Sequence, residues 1–362
     1  MSSHSPSPTQ RIAGFDLARG LAVFFMILIH VLHFYAIKPV WVTNFGTIIE
    51  YLGEWPAAPV FIFIMGVFLI YGNKQTFSQG MKRAFMLFAL GYLLNFARGT
   101  APMWLSLEME LVTLEQLGGY TPMTEFLVID IFQYAALAYA IGLVLKHTLP
   151  NQPWLWIALA TIIAFASPYV WDFETGMPVV DELTKFLWGH YHYGTAFPLF
   201  PWLAYPLVGM AFGHWLSKPD AQSNLFGRSF VIGCAVLLTG VTITISNYDY
   251  HIAHPLRTGP GSVVMITGFV LIWLSVCRYI TLHVPNNPIF NLLYFWSKHV
   301  TTIYVVQWIL IGWGLMLVGS QQLNLSQTIA SMITLVVLSD LVTRAWLKAK
   351  NFQFNRNTVI TQ

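Results

Sequence analysis

The sequence predicts an all-α polytopic integral membrane bundle of about ten transmembrane helices, with the N-terminus and C-terminus both cytoplasmic. Three observations lead there. The 362 residues are 56% hydrophobic and only 9% charged, too little charge to cover the surface of a soluble protein. Many apolar runs approach the ~20 residues that cross a bilayer. The basic residues also fall unevenly between the turns joining those runs. The spans read as roughly 14–36, 57–73, 81–98, 124–146, 153–171, 197–217, 227–247, 262–282, 290–318 and 325–347. With the N-terminus inside, fourteen Lys and Arg residues lie on the inner side and four, Lys38, Arg98, Lys185 and Arg257, on the outer. That is the positive-inside bias, and an even number of spans returns the C-terminus to the cytoplasm. The organisation is a disordered cytoplasmic tail (1–12), one transmembrane domain (13–348) and a cytoplasmic C-terminal tail (349–362).

The first span, DLARGLAVFFMILIH, carries Asp16, Arg19 and His30. Ionisable side chains in hydrocarbon are costly and functional by default. Arg19 and His30 are eleven positions apart, about 16 Å of helical rise. Asp16, Arg19, Val23, Met26 and His30 share one stripe. The charge bias puts Asp16 and Arg19 at the inner boundary and His30 in the outer half. The run is too long and too charged for a cleavable signal. Asp16 and Arg19 either pair with each other or help hold an anionic cofactor. Lys298 adds a basic group at the same face, as do Lys82 and Arg83, which topology alone explains.

Span three ends at Arg98 on the outer surface, where an arginine can hold an anionic or polar acceptor or simply snorkel. The following loop, 99–123, reads as an interfacial helix around MWLSLEMELVTLEQLGG. Span four contains DIFQYAALAYA, which puts Asp130 about six residues inside, at the depth of His30. An imidazole oriented by a buried carboxylate is a good general base, so His30 and Asp130 are the candidate catalytic residues. The alternative is a structural hydrogen bond at each.

The 172–196 loop runs into WGHYHYG. His190 and His192 have a spacing found in metal sites, but no third ligand is evident, so no metal is assigned and the loop reads as an aromatic interfacial one. FPLFPWLAYP, with Trp202, reads as a distorted segment start that could wall a pocket. His254 and Arg257, in the outer 248–261 loop, either face an acceptor or are solvated. Gly20, Gly66, Gly91, Gly209 and Gly213 read as close helix packing. Cys234 and Cys277 lie in apolar segments and imply neither a disulfide framework nor a thiolate metal site. The net charge of +3 sits at segment ends and gives no sign of nucleic-acid binding.

The segment RIAGFDLARGLAVFFMILIH resembles the first-helix signature of integral-membrane acyltransferases, an R-x10-H pair as in the acyltransferase-3 family, here Arg19 and His30. Three further segments resemble the heparan-α-glucosaminide N-acetyltransferase catalytic domain and its bacterial relatives: APVFIFIMGVFLIYG, DIFQYAALAYA and FPLFPWLAYPLVGMAFG. SKHVTTIYVVQW is similar to a late S-x-x-x-Y-x-x-H segment, except that Gln307 stands where a histidine is common. This leaves Tyr304 and Gln307 as polar lining.

The resemblance implies transfer of an acyl group, usually acetyl, from cytoplasmic acyl-CoA to a hydroxyl or amine of a carbohydrate or glycolipid at the outer face, in the inner membrane of a bacterium. It makes His30 the catalytic histidine and Arg19 its companion. Acyl-CoA (acetyl-CoA) is then a co-substrate, with no tightly bound cofactor. On this reading Arg19, Asp16 and Lys298 take the donor, and Arg98, His254, Arg257 and Trp202 face the acceptor. His30 acts as general base or transient acyl carrier, both remaining open. Oligomeric state also stays open, a homo-oligomer included. A second reading is a proton-coupled secondary transporter with His30 and Asp130 as relay, although the repeats and broken helices usual in such folds are not evident. A third is a non-catalytic scaffold.

Overall fold

In hydrocarbon, backbone polar groups must be satisfied within the chain, which leaves the α-helix for runs of this kind. The computed structural model describes residues 11–72, 75–171, 173–189, 194–219, 221–252 and 257–360. The elements are α1 (Ala13–Tyr35), α2 (Lys38–Trp41), α3 (Asn44–Glu54), α4 (Ala58–Tyr71), α5 (Phe77–Asn95), a π-helical turn (Phe96–Thr100), α6 (Ala101–Glu108), α7 (Pro122–Phe126), α8 (Ile131–Thr148) and α9 (Pro153–Ala166). After a 3-10 turn (Ser167–Val170) come α10 (Pro178–Trp188), α11 (Leu199–Trp202), α12 (Ala204–Leu216), α13 (Ala221–Ser246), α14 (Tyr248–Ile252), α15 (Pro260–His283), α16 (Pro288–Lys298), α17 (Val300–Val318) and α18 (Leu325–Ile360). Among the described residues only two isolated β-bridges form.

Among the described residues, eight helical segments are long and apolar enough to cross a membrane, counting α3 with α4, α5 with α6, and α9 with the 3-10 turn after it as one each. The other two expected spans correspond to α8, which carries Gln133, Lys146 and His147 among its 18 residues, and to α12, only 13 residues long. Both are packed into the bundle, α8 on α5 and α12 between α4 and α9. α1 lies at the centre, against α3, α4, α15, α16, α17 and α18.

Three boundaries differ from the hydropathy reading. The run EFLVIDIF looks continuous, yet α8 starts only at Ile131. Asp130 is its N-cap, accepting from the Ile131 N–H at 2.7 Å, while Gln133 Oε1 accepts from the Asp130 N–H at 3.3 Å. This reciprocal cap satisfies backbone donors that would otherwise be orphaned. Asp130 therefore stands at a helix start and not six residues inside a span. Arg98 does not end a helix at the surface either: α5 runs on through the π-helical turn into α6, and Arg98 is buried. Finally, the 290–318 run breaks at His299 into α16 and α17.

Glycines let backbones approach. A Cβ on Gly66 would meet the Pro206 carbonyl, and one on Gly209 or Gly213 the Phe63 or Val67 carbonyl, so α4 and α12 lie in reciprocal backbone contact. Gly20 backs onto Leu293 of α16, and Gly91 onto the Gln133 side chain. Gly312 of α17 is the tightest case, since a Cβ there would fall on the Arg98 carbonyl. Gly312→Ala is expected to destabilise the bundle by about 1–3 kcal/mol through overpacking, read as a lowered melting temperature in detergent. Gly227→Ala, where nothing lies within 4 Å, is the control expected to leave it unchanged.

Candidate active site

One polar cluster forms towards the C-terminal end of α1, where four elements converge. α1 supplies His30, the π-helical turn Arg98, the cap of α8 Asp130, and α17 supplies Tyr304, Gln307 and Trp308. The last three lie at i, i+3 and i+4, one helix face. The Trp308 ring centroid is 4.1 Å from the His30 ring and 4.0 Å from the Arg98 guanidinium carbon. Arg98 Nη1 is 2.6 Å from Asp130 Oδ2, and the Tyr304 hydroxyl donates to the same oxygen at 3.3 Å.

The expected His30–Asp130 hydrogen bond does not form. The cap and the ion pair with Arg98 occupy Asp130, which acts on His30 only across space. Gln307 is the partner of His30, its Nε2 lying 3.3 Å from Nδ1. In that orientation Gln307 Oε1 is buried without a partner. Turning the amide over sets Oε1 against an Nδ1–H and leaves Nε2 of the ring with its lone pair, the form a general base requires. Arg98 keeps a buried Nε–H with no acceptor among the described residues, a donor open to a substrate oxygen.

The segment from the end of α7 to Asp130 is pinned on both sides. Asn95 Nδ2 donates to the Phe126 and Val128 carbonyls at 3.0 and 2.7 Å. Ile129 exchanges backbone bonds with Gly194 and Ala196, at 3.1 and 2.8 Å. Lys185 Nζ, buried on α10 and paired with Glu182, donates to the Leu127 carbonyl at 3.2 Å. Glu125 brings a second carboxylate towards Arg98. It packs on Gly99 and accepts from the Tyr120 hydroxyl at 3.0 Å. Burial pushes the Glu125 carboxyl up, against the opposing pull of Arg98 and Tyr120.

A second cluster lies at the other end of α1. Asp16 receives Arg11 Nε at 2.6 Å on Oδ2 and the Ser297 hydroxyl at 2.9 Å on Oδ1. Arg19 Nη1 sits 3.7 Å from Asp16 Oδ1 and 3.4 Å from Ser297 Oγ, with its guanidinium 4.9 Å above the Phe68 ring. Its Nε is buried without an acceptor among the described residues. The Gly20–Leu293 contact brings α16 close enough for Ser297 to join, and Lys298 follows, exposed. Arg11, Arg19 and Lys298 against one Asp16 leave this end cationic.

The sequence family described as heparan-alpha-glucosaminide N-acetyltransferase, catalytic, matches residues 11–236, well over half of the chain. The chain belongs to this family. Its reaction class is thereby that of a membrane acetyltransferase, and the transporter reading gains nothing from the match. Among curated proteins, none matches the chain. The part matched to the acetyltransferase family holds Asp16, Arg19, His30, Asn95, Arg98, Glu125 and Asp130, and α17, with Gln307 and Trp308, lies beyond it.

Other expected residues stand apart from the two clusters. Trp202 is buried in the bundle, its ring packed on Phe197 and Tyr205, its carbonyl accepting from the Tyr134 hydroxyl at 2.9 Å. Arg257 donates from Nη1 to the Trp171 carbonyl at 3.4 Å, tying its loop to the end of the 3-10 turn after α9. His254, His190 and His192 lie outside the described residues. The sequence reading passed over Trp308, Asn95 and Glu125. The readable signal for the helix bearing Glu125 is Thr121-Pro122, an N-cap followed by proline at the first helical position.

Proposed function

We propose that the chain moves an acetyl group from acetyl-CoA, entering at the Arg19 end, to an amine or hydroxyl of a glycan or glycolipid reaching the His30 end. The observation that carries this is the placement of His30 at one polar cluster and Arg19 at another along one helix, about 16 Å of rise apart. The cationic end around Arg11, Arg19 and Lys298 suits a phosphorylated donor, with the unused Arg19 Nε as an added hydrogen-bond donor. His30, oriented by Gln307, takes the acceptor's proton as the thioester carbon is attacked, or carries the acetyl group as an acyl-imidazole. The free Nε–H of Arg98 is available to the oxyanion that develops on the thioester carbonyl. Asp130 holds that arginine in place. The description of the family makes a terminal glucosamine the first acceptor to try. The charge bias of the loops supports a cytoplasmic Arg19 end, and the bacterial relatives that the chain resembles make the inner membrane of a bacterium the proposed site.

The test uses purified protein in proteoliposomes, with labelled acetyl-CoA on one side and a glucosamine-terminated saccharide on the other. Transfer of label when the donor is on the Arg19 side, and none when the sides are exchanged, is the expected result. Proton-coupled uptake of the saccharide without CoA would overturn the reading in favour of transport. Arg19→Ala is expected to raise KM for acetyl-CoA by about 10–100-fold, the worth of one charge-assisted contact, with a smaller change in kcat.

A further inference from the structure

His33 lies one turn beyond His30 on α1, at the i, i+3 spacing that puts two side chains on one face. Its Nε2 is 3.5 Å from Glu50 Oε1, and both side chains are about a third exposed, at 34% each. The Trp41 ring, centroid 4.7 Å away, covers the imidazole, and the Trp41 indole N–H is itself fixed to the Ala36 carbonyl at 3.2 Å. Glu50 comes from α3, which is pressed against α1 where Gly53 backs onto Ile29, the residue before His30. Imidazole, imidazole and carboxylate thus follow one another from the active-site cluster to partly exposed groups near the C-terminal end of α1. The charged and titratable neighbours are Asp130, Arg98 and His33 for His30, and Glu50 for His33, with Glu54 as a second carboxylate beside Glu50.

We propose that His33 and Glu50 form the proton port of His30, passing the acceptor's proton between its imidazole and the water at that end of the bundle. The proposal rests on the acetyl-transfer reading above. Transfer forms the acceptor–acetyl bond, breaks the thioester C–S bond and leaves the electron pair on sulfur. The proton taken by His30 can return to that sulfur, so a hydroxyl acceptor releases no net proton. An acceptor arriving as an ammonium ion carries one proton more, and acetylating it yields the amide, CoA thiol and one free proton. That proton must leave the buried site. Histidine is the side chain suited to hand it on near neutral pH, and Glu50 accepts it where water reaches.

The experiment compares the full chain with His33→Gln, His33→Ala and Glu50→Gln in proteoliposomes, using acetyl-CoA and glucosamine. For His33→Gln, kcat should fall about tenfold or more, part of the 10²–10⁴ that a positioned acid–base group supplies. KM should change little, the slowing should be greatest at low pH, where the acceptor is fully protonated, and the solvent deuterium isotope effect should rise. Glu50→Gln should move the same readouts in the same direction. Added imidazole should restore part of the rate of His33→Ala. Wild-type kcat and pH profile in the variants, or a loss in His33→Ala that imidazole does not restore, would overturn the port. An active His30→Ala would instead overturn the reading beneath it.

Discussion

His30→Ala is expected to abolish acetyl transfer while leaving the bundle folded. The imidazole is a titratable group of the cluster that takes part neither in the Arg98–Asp130 ion pair nor in a hydrogen bond to it. Asp130 and Arg98 neutralise each other at 2.6 Å, and Tyr304 donates to the same carboxylate. Losing a positioned general base lowers kcat by about 10²–10⁴, and loss of a covalent acyl carrier would lie at the upper end or beyond. The fold has less at stake. Among the described residues His30 has one side-chain hydrogen bond, to Gln307, and one ring contact, to Trp308. Leaving the Gln307 amide unpaired costs about 1–3 kcal/mol, so the variant should still purify as a helical protein with a modestly lower melting temperature. The measurement is kcat/KM with labelled acetyl-CoA at matched protein amounts. A rate within tenfold of wild type would remove His30 from the chemistry. Acid-labile acetyl label trapped on the wild-type chain in the absence of acceptor would select the acyl-imidazole route over direct attack.

The polar stripe of α1 was legible because it depends on one helix. Asp16, Arg19 and His30 are spaced by the helical repeat, and the repeat alone puts them on a common face. The glycine contacts were legible for a similar reason, since in lipid a small residue in a long apolar run has few uses besides close approach. Arg98 and Asp130 were misplaced because their depths depend on partners far away in the chain. Arg98 reads as a helix end, since a lone cation in hydrocarbon is costly, but the ion pair with Asp130 lets the helix continue around it. Asp130 reads as the interior of a span because FLVI before it is apolar. That stretch instead ends α7, turns and leaves Val128 and Ile129 outside any helix: Asn95 and Lys185 donate to its first three carbonyls, Leu127 and Val128 bond back to Met123 and Glu125, and Ile129 bonds to Gly194 and Ala196. Hydropathy registers that four residues are apolar and carries nothing about which distant donors satisfy their backbone. Gln307 as the partner of His30 is a contact 277 positions apart, equally beyond the reach of local patterns.

Arg98→Ala is expected to be strongly destabilising, because it leaves the Asp130 carboxylate buried and uncompensated. Breaking one side of a buried ion pair costs about 3–5 kcal/mol. Asp130 has two jobs, and the variants separate them. Asp130→Asn removes the charge but keeps a capping side chain, since Asn caps about as well as Asp. Asp130→Ala removes both and should cost about 1 kcal/mol more. In Arg98→Ala/Asp130→Asn neither charge remains, so the double variant should be more stable than the sum of the single losses implies, with a coupling of about 0.5–3 kcal/mol in equilibrium unfolding in detergent. Strict additivity would mean that the two groups do not hold each other. A pair of this kind can often be replaced by apolar groups without loss of stability, so stability alone does not account for it. What the pair does is fix a guanidinium against Trp308, the ring that also packs on His30, with one N–H left unused. Arg98→Lys should therefore retain much of the stability lost in Arg98→Ala, because a cation still faces Asp130. It should not retain the rate, because an ammonium on a flexible stem cannot bond Asp130 and present that fixed second donor together.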